Sequence, residues 1–399
     1  MKIKLPFGIG NLRYLNWFTF VSMVALMVTG VCYVYSANAF RESARLQTLY
    51  IGHAHLALVC TAASFAIALV DYRKILRWSG LYYLIGVALL VAVIFMGTSQ
   101  MGAKRWVFGI QPSEFAKLAT IMLVAKYLGR RGAAKDLWDF AFVGLVVLLP
   151  VFLVFLQPDL GTAIVFAPIA AVMLFASGTA LKTLGAIVLA GVIAVTVVLG
   201  SIVLEDNPRT SPGVRKACAA ATSFLGAYQK GRLLDFVFPD RDPLGRGWNR
   251  KQSQIAVGSG GTWGKGFLKG EQNILGYLPQ QVSANDFIFS VLAEEKGFAG
   301  SVFLLACYGI LLLSVLAAGA AAPDESGRLL CAGVSALVFC HVFVNIGMTV
   351  GMLPVTGLPL PFVSYGRTFM ATLGLAMGLV QSVAVRSALQ RKEQSKNEL

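Results

Sequence analysis

Charge is scarce in this chain of 399 residues: Asp, Glu, Lys and Arg together make up 13%, against about 25% in soluble domains. With 57% hydrophobic residues, that scarcity excludes a disordered chain and an ordinary soluble enzyme. Acidic residues are the fewest, 19 against 34 Lys and Arg, which leaves a net charge of +15. Histidine occurs only three times. His53 and His55 point to different faces of any helix and His341 is far away in sequence, so a histidine metal site has no support. Five of the six cysteines (Cys32, Cys60, Cys307, Cys331 and Cys340) lie in apolar runs, and only Cys218 sits in a polar stretch. That pattern reads as small core residues, not as a disulfide framework.

What the chain has in abundance is apolar runs of about twenty residues, the length that crosses a bilayer as a helix. Candidate spans fall near 15–36, 53–70, 79–97, 113–128, 139–157, 160–176, 184–204, 287–319, 329–350 and 365–386. The first follows Lys2, Lys4 and Arg13 and ends at Ala37-Asn38-Ala39, which mimics a cleavage site. Its apolar core is too long for a signal peptide, so it reads as a retained helix. With the N-terminus inside, the inner segments hold sixteen Lys and Arg and the short outer ones four: Arg41, Arg45, Lys104 and Arg105. That bias orients the protein. The expected fold is an all-α polytopic integral membrane protein of about ten transmembrane helices with both termini cytoplasmic. Residues 1–204 carry helices 1–7, residues 205–286 form one large extracytoplasmic loop, and residues 287–399 carry helices 8–10 and a cytoplasmic tail. The excess positive charge then serves topology and membrane lipids, and nucleic acid is not an expected partner.

Ionisable side chains at membrane depth cost about 2.5–3.5 kcal/mol each, so each one marks a partner or a cavity. Glu114 and Lys117 stand three apart in Gln111-Pro112-Ser113-Glu114-Phe115-Ala116-Lys117, on one face of a helix that Pro112 opens. They are either a structural ion pair or the electrostatic floor of a polar cavity. Asp159, in the turn Gln157-Pro158-Asp159-Leu160-Gly161-Thr162, reads as a helix cap. Glu294, Glu295 and Lys296 interrupt an apolar stretch longer than one crossing, which therefore starts outside the membrane or breaks near Gly297. The two acids mark a polar cavity, or serve as one cap and one partner for Lys117 or Arg367. The run from Gly258 to Gly266 lacks the spacing and final Ser/Thr of a Walker A loop. Its amides, with Lys265 and Lys269, offer either a pyrophosphate cradle or plain loop packing. Pro354, Pro359 and Pro361 forbid a helix in the last outer turn, which reads as a rigid cavity mouth beside Ser364, Tyr365 and Arg367.

Together, Lys104-Arg105-Trp106, QPSEFAKLA, QPDLGTA, YQKGRLLDFVFPDRDPLG, QSQIAVGSGG, DFIFSVLAEEKGFAG and NIGMTVGMLPVTGLPLPFVSYG resemble the shape, elongation, division and sporulation (SEDS) family of bacterial cell-wall synthesis, and its elongation branch in particular. The resemblance implies a multi-pass protein of the bacterial cytoplasmic membrane. It would act as a peptidoglycan glycosyltransferase that polymerises lipid II, with a class B penicillin-binding protein as partner. It also implies that Asp286, just before Phe-Ile-Phe, is the catalytic acid, with matching roles for Glu114, Lys117, Glu294 and Glu295. In the family this acid follows a Pro-Glu-x-His-Thr run, whereas here Pro279-Gln280-Gln281-Val282-Ser283-Ala284-Asn285 precedes it and is two residues longer.

On this reading Asp286 is a general base on the acceptor hydroxyl. Lys117, Arg105 or Lys265 neutralises the developing charge, or a divalent cation (Mg or Mn) held by nearby acids does so, and all share one water-accessible cleft. No metal ligand set is assigned. Two other functions compete: a flippase for the lipid-linked precursor, and a scaffold that activates a penicillin-binding protein. The inner halves of the helices are almost wholly apolar, which favours an enzyme of the outer face over a carrier.

Overall fold

The computed structural model describes residues 13–100, 103–107, 109–134, 136–238, 246–278 and 282–397. Lys2, Lys4, the Pro279-Gln280-Gln281 step, and residues 239–245 of the large loop lie outside the described residues, as does the side chain of Lys104.

Ten long helices match the ten apolar runs. They are α1 (Trp17–Asn38), α3 (Leu49–Leu69), α5 (Ser79–Met96), α6 (Pro112–Arg131), α7 (Leu137–Leu156), α8 (Leu160–Ala176), α9 (Leu181–Asp206), α14 (Ile288–Ala320), α15 (Glu325–Thr349) and α16 (Arg367–Asn397). Short helices link them: α2 (Ala44–Gln47), α4 (Tyr72–Arg77), α10 (Pro212–Ala221), α11 (Ala227–Val237), α12 (Arg246–Ser259) and α13 (Glu271–Ile274). Among the described residues, eight helices are long and apolar enough to cross a membrane. Of the other two, α6 carries Glu114, Lys117 and Lys126 within its run and α8 has 17 residues. A two-stranded antiparallel hairpin, β1 (Thr98–Gln100) and β2 (Ala103–Trp106), also forms in the segment after α5, where sequence periodicity gave no signal.

Local chemistry sets the helix starts. Asn16 Oδ1 accepts from the Thr19 amide at 3.3 Å, Asp159 Oδ1 from Thr162 at 3.2 Å, and Asp324 Oδ1 from Gly327 at 2.8 Å, each satisfying one orphan donor of a first turn. Asp159 is thus the cap that its sequence context predicts. Pro112 opens α6 with Glu114 in its first turn, favourable at the positive end of the helix dipole.

Burial sorts the bundle. α15 and α16 lie mostly inside, and α9 shows almost its whole surface to the surroundings. α15 packs on α6, α8 and α14, while α16 packs on α3, so the polar residues of α6 and α15 meet at the centre of the molecule.

α14 breaks at Gly297 (φ 64°, ψ −159°), a conformation open only to glycine. The break leaves carbonyls before it and amides after it without helical partners, and the glycine run after α12 supplies both. The amides of Lys265 and Gly266 donate to the carbonyls of Glu294 and Glu295 at 3.0 and 2.9 Å. The amides of Phe298 and Ala299 donate back to the carbonyls of Gly261 and Thr262 at 2.8 and 2.9 Å. This overturns the pyrophosphate cradle: the Lys265 and Gly266 amides complete a broken helix, and plain loop packing is what the glycines serve.

Candidate active site

Asp286 belongs to the turn 282–287 that leads into α14, and the turn is held by backbone and buried side-chain contacts. The amides of Asn285 and Asp286 donate to the Val282 carbonyl at 3.1 and 2.9 Å. The Tyr365 amide donates to the Ala284 carbonyl at 2.9 Å. Ser364 Oγ donates to the Asn285 carbonyl and accepts from the Leu360 amide at 2.8 Å. From α15, the buried Asn345 donates through one Nδ2 group to the carbonyls of Asp286, at 3.0 Å, and Leu358, at 2.7 Å. The proline-rich turn after α15 is thereby tied to the turn that bears the carboxylate. Ser364, expected at the cavity mouth, is a fully covered tie between these turns.

The carboxylate lines a cleft of about 320 Å³ with Arg105, Arg232, Arg367, Gln111, Tyr365 and Phe369 among its walls. Burial pushes the Asp286 carboxyl from 3.8 up to about 6, against the pull of Arg232 and Arg105 and with a further push from Asp159. Arg105 Nη2 donates to the Pro158 carbonyl at 3.0 Å and its Nη1 lies 3.6 Å from Asp159. Asp159 therefore caps α8 and anchors a cleft arginine at once. Arg232, from α11, donates to the Thr356 carbonyl at 3.3 Å. Arg367 is exposed at the start of α16.

Glu114 and Lys117 do not open into this cleft. They form a buried pair beneath it, with Lys117 Nζ 3.0 Å from Glu114 Oε1 and 2.8 Å from His341 Nε2. The His341 ring stacks on Phe369 with centroids 4.3 Å apart, and Lys117 Nζ lies 5.4 Å from the Phe369 ring centroid. Phe369 is the partition between the network and the cleft floor.

The expected partnership of Glu294 or Glu295 with Lys117 or Arg367 is not what the structure has. Glu294 Oε1 accepts from Lys265 Nζ at 2.9 Å and from the Gln272 amide at 3.1 Å, while Glu295 accepts from Ser36 Oγ. The α14 break sets both acids against the large loop and the end of α1, away from α6 and α16. Lys265 also reaches Glu271 at 3.1 Å. The single shared cleft thus resolves into three places: Asp286, Arg105 and Arg367 in the cleft, Glu114 and Lys117 below it, and Lys265, Glu294 and Glu295 apart. Sequence reading missed Arg232, Asn345 and His341. Asn345 and His341 lie four apart on α15, one polar stripe in an apolar helix, and that spacing is the signal that could have found them.

These features define a polytopic helical membrane protein whose basic cleft surrounds one carboxylate. Sequence comparison matches residues 16–389 to the cell cycle protein family of FtsW, RodA and SpoVE, and the chain belongs to that family. It is 33% identical to the peptidoglycan glycosyltransferase RodA of Treponema pallidum, over 97% of this chain and 100% of that one. It is 36% identical to the peptidoglycan glycosyltransferase MrdB of Escherichia coli K12, over 90% and 91%. Among solved structures, one described as the structural coordination of polymerization and crosslinking by a peptidoglycan synthase complex superposes with TM-score 0.72 at 28% identity, covering 93% of this chain and 97% of that one. The rod shape determining protein RodA of Thermus thermophilus superposes with TM-score 0.63 at 27% identity, covering 93% and 96%.

Proposed function

We propose that this chain is a peptidoglycan glycosyltransferase of the bacterial inner membrane that polymerises lipid II on the outer face, with Asp286 as general base. The observation that carries the assignment of the base is a carboxylate in a cleft lined by three arginines. Asp286 takes the proton of the acceptor sugar hydroxyl, whose oxygen attacks the anomeric carbon of the donor. The bond from that carbon to the pyrophosphate oxygen breaks, and the lipid pyrophosphate leaves with the electron pair. Arg105, Arg232 and Arg367 face the charge that develops on the leaving group. A carboxyl at about 6 is ionised at neutral pH yet basic enough to receive a proton.

A divalent cation does not fit this donor set. The cleft offers one carboxylate among three guanidinium groups, and no group of three or more His, Cys, Asp or Glu that could hold a metal converges among the described residues.

The working partner on this reading is a crosslinking class B penicillin-binding protein. The similarity to a peptidoglycan synthase complex that couples polymerization to crosslinking supports it. The test is glycan polymerisation from purified lipid II by the solubilised protein with that partner. Polymer from the wild type and none from a folded, partner-bound Asp286→Asn variant is the expected result. A folded, partner-bound wild type that makes no polymer would favour a flippase or a scaffold instead.

A further inference from the structure

The opposite face of the molecule carries a second concave site. α4, the end of α6 and the start of α15 enclose a cleft of about 240 Å³ lined by Arg73, Leu76, Arg77, Lys126, Arg130, Asp324 and Ser326. Charge bias places these segments on the cytoplasmic side. The α6 and α15 backbones meet so closely that a Cβ on Gly129 would strike Ser326, which closes one end of the cleft.

Four cations face one carboxylate there, and that carboxylate is already engaged. Asp324 Oδ1 caps α15 through the Gly327 amide, and Oδ2 accepts from Arg73 Nε at 2.6 Å. Lys126 Nζ donates to the Arg77 backbone carbonyl at 2.7 Å, which fixes the ammonium without neutralising it. Among the described residues, Arg77, Lys126 and Arg130 have no carboxylate partner. The general preference of inner loops for Lys and Arg accounts for the sign of these residues. It does not account for three unneutralised cations converging on one hollow. Trp78, next to Arg77, is 59% exposed, and exposed tryptophan at a helix start marks the headgroup level of the bilayer.

From this arrangement we infer that the cleft between α4, α6 and α15 binds the phosphate of an anionic phospholipid headgroup from the inner leaflet. Arg77 and Arg130 present planar forks suited to phosphate oxygens and Lys126 adds a point charge. Leu76 supplies an apolar wall for the glycerol, and acyl chains run along the exposed Leu81, Leu84 and Ile85 of α5. The inference is independent of the chemistry assigned to Asp286.

The test uses the full chain in nanodiscs of phosphatidylcholine with and without phosphatidylglycerol, with retained lipid read by native mass spectrometry after mild detergent extraction. Wild type should retain phosphatidylglycerol preferentially, and the double variant Arg77→Gln with Arg130→Gln should lose that preference about tenfold. The double variant Arg391→Gln with Lys396→Gln, equal in charge but on the tail, should keep it. Equal loss in both double variants would show a diffuse basic surface and overturn the site. So would an unchanged preference in the Arg77/Arg130 variant. Displacement of the lipid by millimolar inorganic phosphate would reassign the cleft to a soluble anion and overturn the lipid assignment.

Discussion

Lys117 Nζ lies 2.8 Å from His341 Nε2, and the other ring nitrogen of His341 lies 3.2 Å from the Pro359 carbonyl oxygen. A carbonyl only accepts, so Nδ1 carries the proton and Nε2 receives a hydrogen bond from the ammonium. The ring is neutral, and it joins α6, by way of Lys117, to the proline-rich turn.

Neutralising Glu114 leaves the buried Lys117 cation without its counter-charge, and removing His341 leaves it short of an acceptor. Glu114→Gln is expected to destabilise by roughly 3–5 kcal/mol, as breaking a buried ion pair does. His341→Ala costs less, about 1–3 kcal/mol, because the ion pair survives. Thermal unfolding in one detergent ranks the two, and the reverse order would contradict the network.

The raised Asp286 carboxyl makes activity and stability respond oppositely to pH. Only the ionised form accepts a proton, so polymerisation should fall as pH drops through about 6. Stability runs the other way. A carboxyl pushed above its unfolded value contributes stability fully present below about 3.8 and lost as pH rises through about 6. At pH 8 Asp286→Asn should therefore unfold at a higher temperature than wild type while polymerising at least about 100-fold more slowly. An inactive variant that is also less stable at pH 8 would contradict the account of a raised carboxyl.

Asn345 positions Asp286 through its backbone carbonyl and does not touch the cleft. Asn345→Ala frees two carbonyls and should lower kcat with little change in KM for lipid II, at a stability cost of roughly 1–3 kcal/mol. A rise in KM with kcat intact would mean that the turn binds substrate instead of aiming the base.

Gly297→Ala tests the joint between α14 and the glycine run. The pair φ 64°, ψ −159° is open only to glycine, and a new Cβ would strike the Gly264 amide nitrogen. The variant should lose more than about 3 kcal/mol or fail to accumulate. Gly357→Ala also sits at positive φ but places its Cβ 3.4 Å from Asp286 Oδ2. It should cost about 1 kcal/mol of stability while slowing polymerisation more than that strain explains. Normal yield of the first, or normal activity of the second, would refute the respective argument.

The helices were legible because each apolar run is bounded by charge, Pro112 or a capping acid, signals contained in a few neighbouring residues. The break in α14 was legible as one of two readings, since 33 apolar-rich residues exceed one crossing and so either start outside the membrane or break near Gly297. The placement of the acids was not. Nothing near Glu294 in the sequence announces Lys265 as its partner, and Lys117 and His341 are separated by 224 positions. Such pairs depend on how helices cross, and the glycine run resembles a ligand loop until the orphaned carbonyls of α14 are seen. The β1–β2 hairpin escaped notice because three and four residues are too few to show a period of two.

Around the Asp286 turn the Val282 carbonyl takes the Asn285 and Asp286 amides and the Ala284 carbonyl takes the Tyr365 amide, and the side chains of Ser364 and Asn345 also end on main-chain atoms, the carbonyls of Asn285, Asp286 and Leu358 and the amide of Leu360. Every residue type carries a carbonyl, and all but proline carry an amide hydrogen. The position of the carboxylate is therefore set by main-chain hydrogen bonding, and the side chain of Asn285 takes no part in those ties, while Ala284 is held by its burial in the core.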